Sequence, residues 1–126
     1  MINILFVGIG GFVGASTRYL FGKYINLLFP AVSFPLATFG INILGCFLIG
    51  LLGGVSEGAD IFSERMRNLL FAGMLGGFTT YSTFSYETLI LLKDGQMILA
   101  LLNILLHVIT GLIAVWLGMQ AAKYII

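Results

Sequence analysis

Long apolar runs alternate with short polar interruptions along this chain, and that pattern sets its elements. Residues 4–24, 36–55, 68–92 and 97–119 are dominated by apolar side chains. Each run is close to the roughly 20 residues that a membrane-spanning helix requires. The first two runs are separated by a turn that contains Pro30, and Pro35 suits the opening of the second helix. The most polar stretch holds Glu57, Asp60, Glu64, Arg65 and Arg67 and reads as a loop with a helix start. Lys93-Asp94-Gly95-Gln96 reads as a tight turn. The pattern therefore predicts four helices on short connections. Small-xxx-small pairs at Gly10/Gly14 and Gly50/Gly54 mark faces on which helix backbones approach closely.

The third run departs from the others. Its centre holds Gly73, Gly76 and Gly77, then the hydroxyls of Thr79, Thr80, Ser82, Thr83 and Ser85, and then the carboxylate of Glu87. Glycines followed by paired threonines are poor helix formers, so a break in mid-membrane is expected here. Hydrocarbon tolerates open backbone and polar side chains only where protein shields them or a wet cavity reaches them. The segment reads as a site.

Composition narrows the class further. Hydrophobic residues make up 60% of the chain and charged ones 9%, with a mean hydropathy of +1.09. A soluble domain carries roughly 25% charged residues, so a soluble globular fold is excluded. A net charge of +1 gives no basis for nucleic acid as a partner. Cys46 is the only cysteine and cannot form an intrachain disulfide. The first run lacks a basic leader and continues into glycine-rich sequence, so no separable signal peptide is expected. Residues 1–126 read as one all-α transmembrane domain. No metal-ligating cluster, phosphate loop or nucleophile–base pair is present, and enzymatic chemistry is not expected.

Charge distribution bears on topology. With four spans, Arg65, Arg67 and Lys123 fall on one side, and Arg18, Lys23 and Lys93 on the other. The positive-inside rule finds a tie and sets no preferred orientation. The tie predicts insertion both ways and an antiparallel homodimer; a fixed topology set by weaker signals is the alternative. A two-fold axis in the membrane plane would place two broken segments together, with carbonyls from each converging on a hard cation.

Several side chains carry candidate chemistry, each with a plainer reading beside it. Thr38, Asn42 and Cys46 stand four apart on one face of the second helix. Tyr81 and Phe84 place two rings three apart with Ser82 and Thr83 between them. Their positive ring edges and neutral hydroxyl donors suit a small anion that must enter and leave. Packing at a helix crossing explains the rings equally well. Asn103, His107 and Thr110 form a stripe on the fourth helix. His107 reads as a proton shuttle or, more simply, as bonded to Asn103 or Thr110 across helices. Glu87 reads as a proton or cation carrier, or as a helix-end carboxylate reaching the interface or a hydroxyl. Arg18 reads as an anion attractor at a vestibule or as a topology signal.

The motifs Gly10-Gly11-x-x-Gly14-Ala15-x-x-Arg18-Tyr19, Thr38-x-x-x-Asn42-x-x-Gly45 and Gly76-Gly77-Phe78-Thr79-Thr80-Tyr81-Ser82-Thr83-Phe84-Ser85-x-Glu87 resemble the CrcB/Fluc family of fluoride channels. The resemblance spans nearly the whole chain. It implies a dual-topology antiparallel homodimer in the cytoplasmic (inner) membrane, surrounded by lipid, that passes fluoride out of the cell. It places Asn42, Thr38, Tyr81, Ser82, Thr83, Phe84, Glu87 and Arg18 along the anion pathway. Asn103, His107 and Thr110 are weaker pathway candidates from their stripe. It implies a structural Na+ held by the backbone carbonyls of Gly76 and Thr79, and no organic cofactor. One departure stands out: the first ring of the aromatic pair is usually Phe in this family and is Tyr81 here. A small dual-topology multidrug/proton antiporter is the rival reading. It needs a carboxylate deep in its first helix, and residues 4–24 contain none.

Overall fold

Helix α1 (Ile2–Leu28) and helix α2 (Leu36–Ala59) are uninterrupted, as is the last helix, α6 (Met97–Ala122). All three are long and apolar enough to cross a membrane. The computed structural model describes all 126 residues, Met1–Ile126, and they form an all-helical bundle. The helices outrun the apolar runs by up to two residues at the N-terminal end and up to four at the C-terminal end. Polar end residues such as Asn26 and Glu57 continue the backbone hydrogen bonding where apolar patterning has already stopped.

Residues 64–93 form the fourth limb and are wound in pieces. Helix α3 (Glu64–Arg67) is capped by Ser63, whose hydroxyl accepts from the Met66 N–H at 3.4 Å. A π-helical stretch, Asn68–Leu75, follows, and then a single turn, α4 (Gly76–Phe78). Thr79 and Thr80 are extended, and helix α5 (Tyr81–Lys93) starts afresh. A turn with Gly95 at φ 74° leads into α6.

Two close helix pairs make the frame. The most extensive contact is α2 with α6, followed by α1 with the π-helical stretch. A Cβ at Gly50 would overlap the Val115 carbonyl oxygen, and one at Gly118 would overlap that of Phe47. On the other seam, a Cβ at Gly14 would overlap the Met74 carbonyl oxygen. These glycines let backbones touch where lipid supplies no hydrophobic drive between helices. Gly54 meets the Ala122 methyl on the α2–α6 seam, so the second small-xxx-small pair lies on that interface as well.

Little of the chain is enclosed. Only 19 of 126 residues are buried, and Leu105, Leu112 and Trp116 of α6 are exposed. That surface suits hydrocarbon rather than water.

Candidate functional site

The interruption between α4 and α5 has a local cause. Thr79 and Thr80 are β-branched and sit at ψ 159° and 112°, conformations their side chains favour. Thr80 is the N-cap of α5: its hydroxyl accepts from the Thr83 N–H at 3.3 Å and donates to Thr83 Oγ1 at 2.9 Å. Thr79 closes the preceding turn, with its N–H and its hydroxyl both donating to the Leu75 carbonyl at 3.0 Å.

Opening a helix strands backbone groups, and α2 supplies the partner for one peptide. Asn42 Nδ2 donates to the Thr80 carbonyl at 3.1 Å, while Asn42 Oδ1 accepts from the Thr80 N–H at 2.9 Å. One side-chain amide thus satisfies both polar groups of one residue, as a strand neighbour would. One N–H of Asn42 remains available for another acceptor. Because the Thr80 N–H is committed to Asn42, the Gly76 carbonyl loses its helical donor. The Thr79 carbonyl accepts from Arg18 Nη1 at 3.2 Å. Arg18 therefore works inside the bundle, ten residues short of the end of α1, rather than at an interface. Without it the loop cations number three (Arg65, Arg67, Lys123) against two (Lys23, Lys93), which remains a small difference.

The row on α2 grips α5 at two heights. One turn from Asn42, Thr38 is buried, and its hydroxyl donates to Glu87 Oε1 at 2.9 Å. Glu87 Oε2 is buried without a partner. Of the two plain readings of Glu87, the hydroxyl partner is the one observed. Next along the row, Cys46 lines a cavity of about 430 Å³ together with Asn42, Gly76, Thr79, Tyr81 and Phe84. A second cavity of similar size lies toward the 29–35 turn and takes in Glu87, Asp94 and Gln96.

The aromatic pair is adjacent but tilted. The rings of Tyr81 and Phe84 lie 5.8 Å apart at 44°. Tyr81 is 80% exposed, and Ser82 and Thr83 are exposed beside it. Phe84 turns inward and meets His107 of α6 at 4.4 Å with the rings tilted by 48°, while Phe39 of α2 meets the same imidazole edge-on at 5.2 Å.

The stripe on α6 is divided among different partners. Asn103 is fully buried, and its Nδ2 donates to Thr88 Oγ1 at 2.8 Å, which in turn donates to the Phe84 carbonyl at 2.7 Å. His107 Nδ1 lies 2.9 Å from the Asn103 carbonyl on its own helix, not across an interface. Thr110 turns back to the Leu106 carbonyl at 2.5 Å and does not join the other two. Sequence reading missed Thr88 and Phe39, whose roles depend on which helices meet. It also missed Thr80 as the N-cap, although an extended threonine three residues before Thr83 carries that signal. Gly45 is required beside them, since a Cβ there would overlap the Thr79 methyl.

Freed or shared carbonyls at Gly76 and Thr79 are hard oxygen donors of the kind that bind Na+ or other hard cations. The Gly76 carbonyl lacks its helical donor, and Thr79 keeps one lone pair beside the Arg18 contact, so the residues fit such an ion.

A family model described as "CrcB-like protein, Camphor Resistance (CrcB)" matches residues 5–119. The chain is 45% identical over 122 residues to fluoride-specific ion channel FluC 3 of Methanosarcina barkeri, covering 97% of this chain and 91% of that protein. It is 42% identical over 125 residues to fluoride-specific ion channel FluC of Geotalea daltonii, covering 99% and 100%. Against fluoride-specific ion channel FluC of Ruminiclostridium cellulolyticum the identity is 45% over 125 residues, covering 99% and 95%.

Proposed function

This chain belongs to the CrcB-like family, and from that premise we propose that it is a passive, fluoride-selective channel of the cytoplasmic membrane. It is a multi-pass membrane protein and not an enzyme. The single observation that carries the reading is the start of α5. There a helix is opened inside an apolar bundle, the N–H and carbonyl of Thr80 are held by Asn42, and the hydroxyls of Ser82 and Thr83 and the Tyr81 ring are left exposed.

Fluoride gives up strongly bound water to enter such a path. The donors on offer are neutral: the hydroxyls of Ser82 and Thr83, the Tyr81 phenol, and the spare N–H of Asn42. The rings of Tyr81 and Phe84 add positive edges without a full charge. Binding of this strength admits an anion and also releases it. Thr38 and Glu87 continue the polar track one turn further along α5. Arg18 contributes positive potential at the break while its guanidinium holds the Thr79 carbonyl. The membrane potential drives fluoride outward, with no coupled ATP or proton.

The working unit in this reading is an antiparallel homodimer of dual topology, with the break at mid-membrane. Support comes from the exposed hydroxyl face of α5, which hydrocarbon would leave unsatisfied and a second copy would cover. The small charge difference between the two sides also leaves orientation weakly set. Carbonyls of Gly76 and Thr79 from both copies would hold a structural Na+, which supplies a fixed positive centre between them.

Fluoride efflux from liposomes reconstituted with the protein, with and without Na+, tests the reading. Selective fluoride efflux over chloride is expected, weakened when Na+ is withheld during assembly. Absence of fluoride flux under every condition removes the channel assignment. C-terminal reporters all on one side would remove the antiparallel dimer.

A further inference from the structure

His107 is the only histidine in the chain and stands between the aromatic wall and the frame. A carbonyl oxygen only accepts, so the 2.9 Å contact from Nδ1 to the Asn103 carbonyl places the ring proton on Nδ1. Nε2 of the neutral imidazole then carries a lone pair. That atom is buried and has no partner. The ring packs at a tilt against Phe84 and also lines the cavity that Tyr81, Asn42 and Thr79 share. A buried lone pair beside an anion wall is unfavourable to an anion. The same atom bearing a proton is a charged donor.

We infer that His107 is a proton-dependent anion-binding residue: its Nε2–H, present only in the imidazolium, donates to an anion held beside Phe84. The inference rests on the channel reading above and adds the residue that makes anion occupancy depend on pH. Phe84 at 4.4 Å and Phe39 at 5.2 Å are the rings in contact with this imidazole.

Few other ionisable groups face the cavity that the ring lines. From α2, Asn42 and Cys46 line the shared cavity, and from α5, Tyr81 and Phe84 do so. No carboxylate lines that cavity. Glu87 is the nearest acid along α5, is bonded to Thr38 and opens onto the second cavity. Arg18 is bonded to the Thr79 carbonyl. Glu87 is therefore the one competing titration to control.

The test uses the whole protein in detergent micelles, labelled with 15N at histidine, where one residue supplies every ring signal. Linkage requires that if the imidazolium binds fluoride better, fluoride raises the midpoint of the His107 titration. A hydrogen bond to a charged group implies about tenfold tighter fluoride binding at roughly pH 5.5 than at roughly pH 8. The midpoint should accordingly rise by about one pH unit in saturating fluoride and stay put in equal chloride. His107→Gln should bind fluoride with the same affinity at both pH values, while Glu87→Gln should keep the parent's pH dependence. An unmoved midpoint, or a pH dependence that survives in His107→Gln or vanishes in Glu87→Gln, overturns the inference. A parent that conducts fluoride with no pH effect leaves the channel standing and removes this role for His107. A parent that neither binds nor conducts fluoride at any pH removes both.

Discussion

Asn42→Leu removes one amide and both of its bonds to the Thr80 peptide while roughly conserving side-chain volume. The lost bonds are 2.9 and 3.1 Å long and lie at a part-buried site within a membrane span. A hydrogen bond ordinarily contributes about 0.5–1.5 kcal/mol net, but stranding a buried donor or acceptor costs about 1–3 kcal/mol. The Thr80 N–H and carbonyl are both stranded by this substitution, so the cost is about 2–4 kcal/mol. For a chain of this length that corresponds to a melting point lowered by roughly 8–15 °C in detergent. The loss should concentrate at the break. Amide exchange at Thr80 and Tyr81 should accelerate far more than exchange within α2 or α6. Asn42→Asp keeps an acceptor for the Thr80 N–H but turns a second oxygen toward the Thr80 carbonyl, and it should be at least as destabilising. A melting point within about 3 °C of the parent for Asn42→Leu, with slow exchange retained at Thr80, would refute the idea that this amide holds the helix open.

Other substitutions test separate parts of the structure. Gly14→Ala and Gly50→Ala each drive a methyl into a backbone carbonyl and should abolish or sharply reduce folded protein, measured as monodisperse yield. Gly8→Ala and Gly53→Ala meet nothing within 4 Å and should leave yield unchanged. Thr88→Val leaves the buried Asn103 amide without its acceptor and should cost about 1 kcal/mol, read from a double-mutant cycle with Asn103→Ala. Coupling near zero would dissociate that pair. Tyr81 is exposed and its hydroxyl has no partner within the chain, so Tyr81→Phe should shift stability by less than about 0.5 kcal/mol. The same change should keep fluoride selectivity but alter efflux rate in liposomes, and equal rates would show that the phenol does not meet the anion.

What could be read from the sequence follows from which features are local. Four apolar runs were legible because the membrane imposes length and composition on each segment separately. Thr79 and Thr80 carry their extended conformation and N-cap chemistry in their own side chains, so the place where helical winding stops is written in two residues. The winding of Asn68–Leu75 as a π-helix is not written there. An apolar run with one glycine reads as an ordinary helix until α1 is laid against it. Partner choice was likewise hidden. Asn42 presents the same amide to an anion or to a peptide, and only the α2–α5 crossing decides that it takes the peptide of Thr80. Arg18 looks like an interfacial cation in one dimension and becomes a ligand of the Thr79 carbonyl in three. Both cases have one origin. Opening a helix inside a bundle creates unpaired backbone groups, and polar side chains on neighbouring helices are drawn to them before they serve any ion. On the proposed channel reading, the residues that line the path and those that hold the helix open are partly the same, so substitutions at Asn42 should affect stability and flux together.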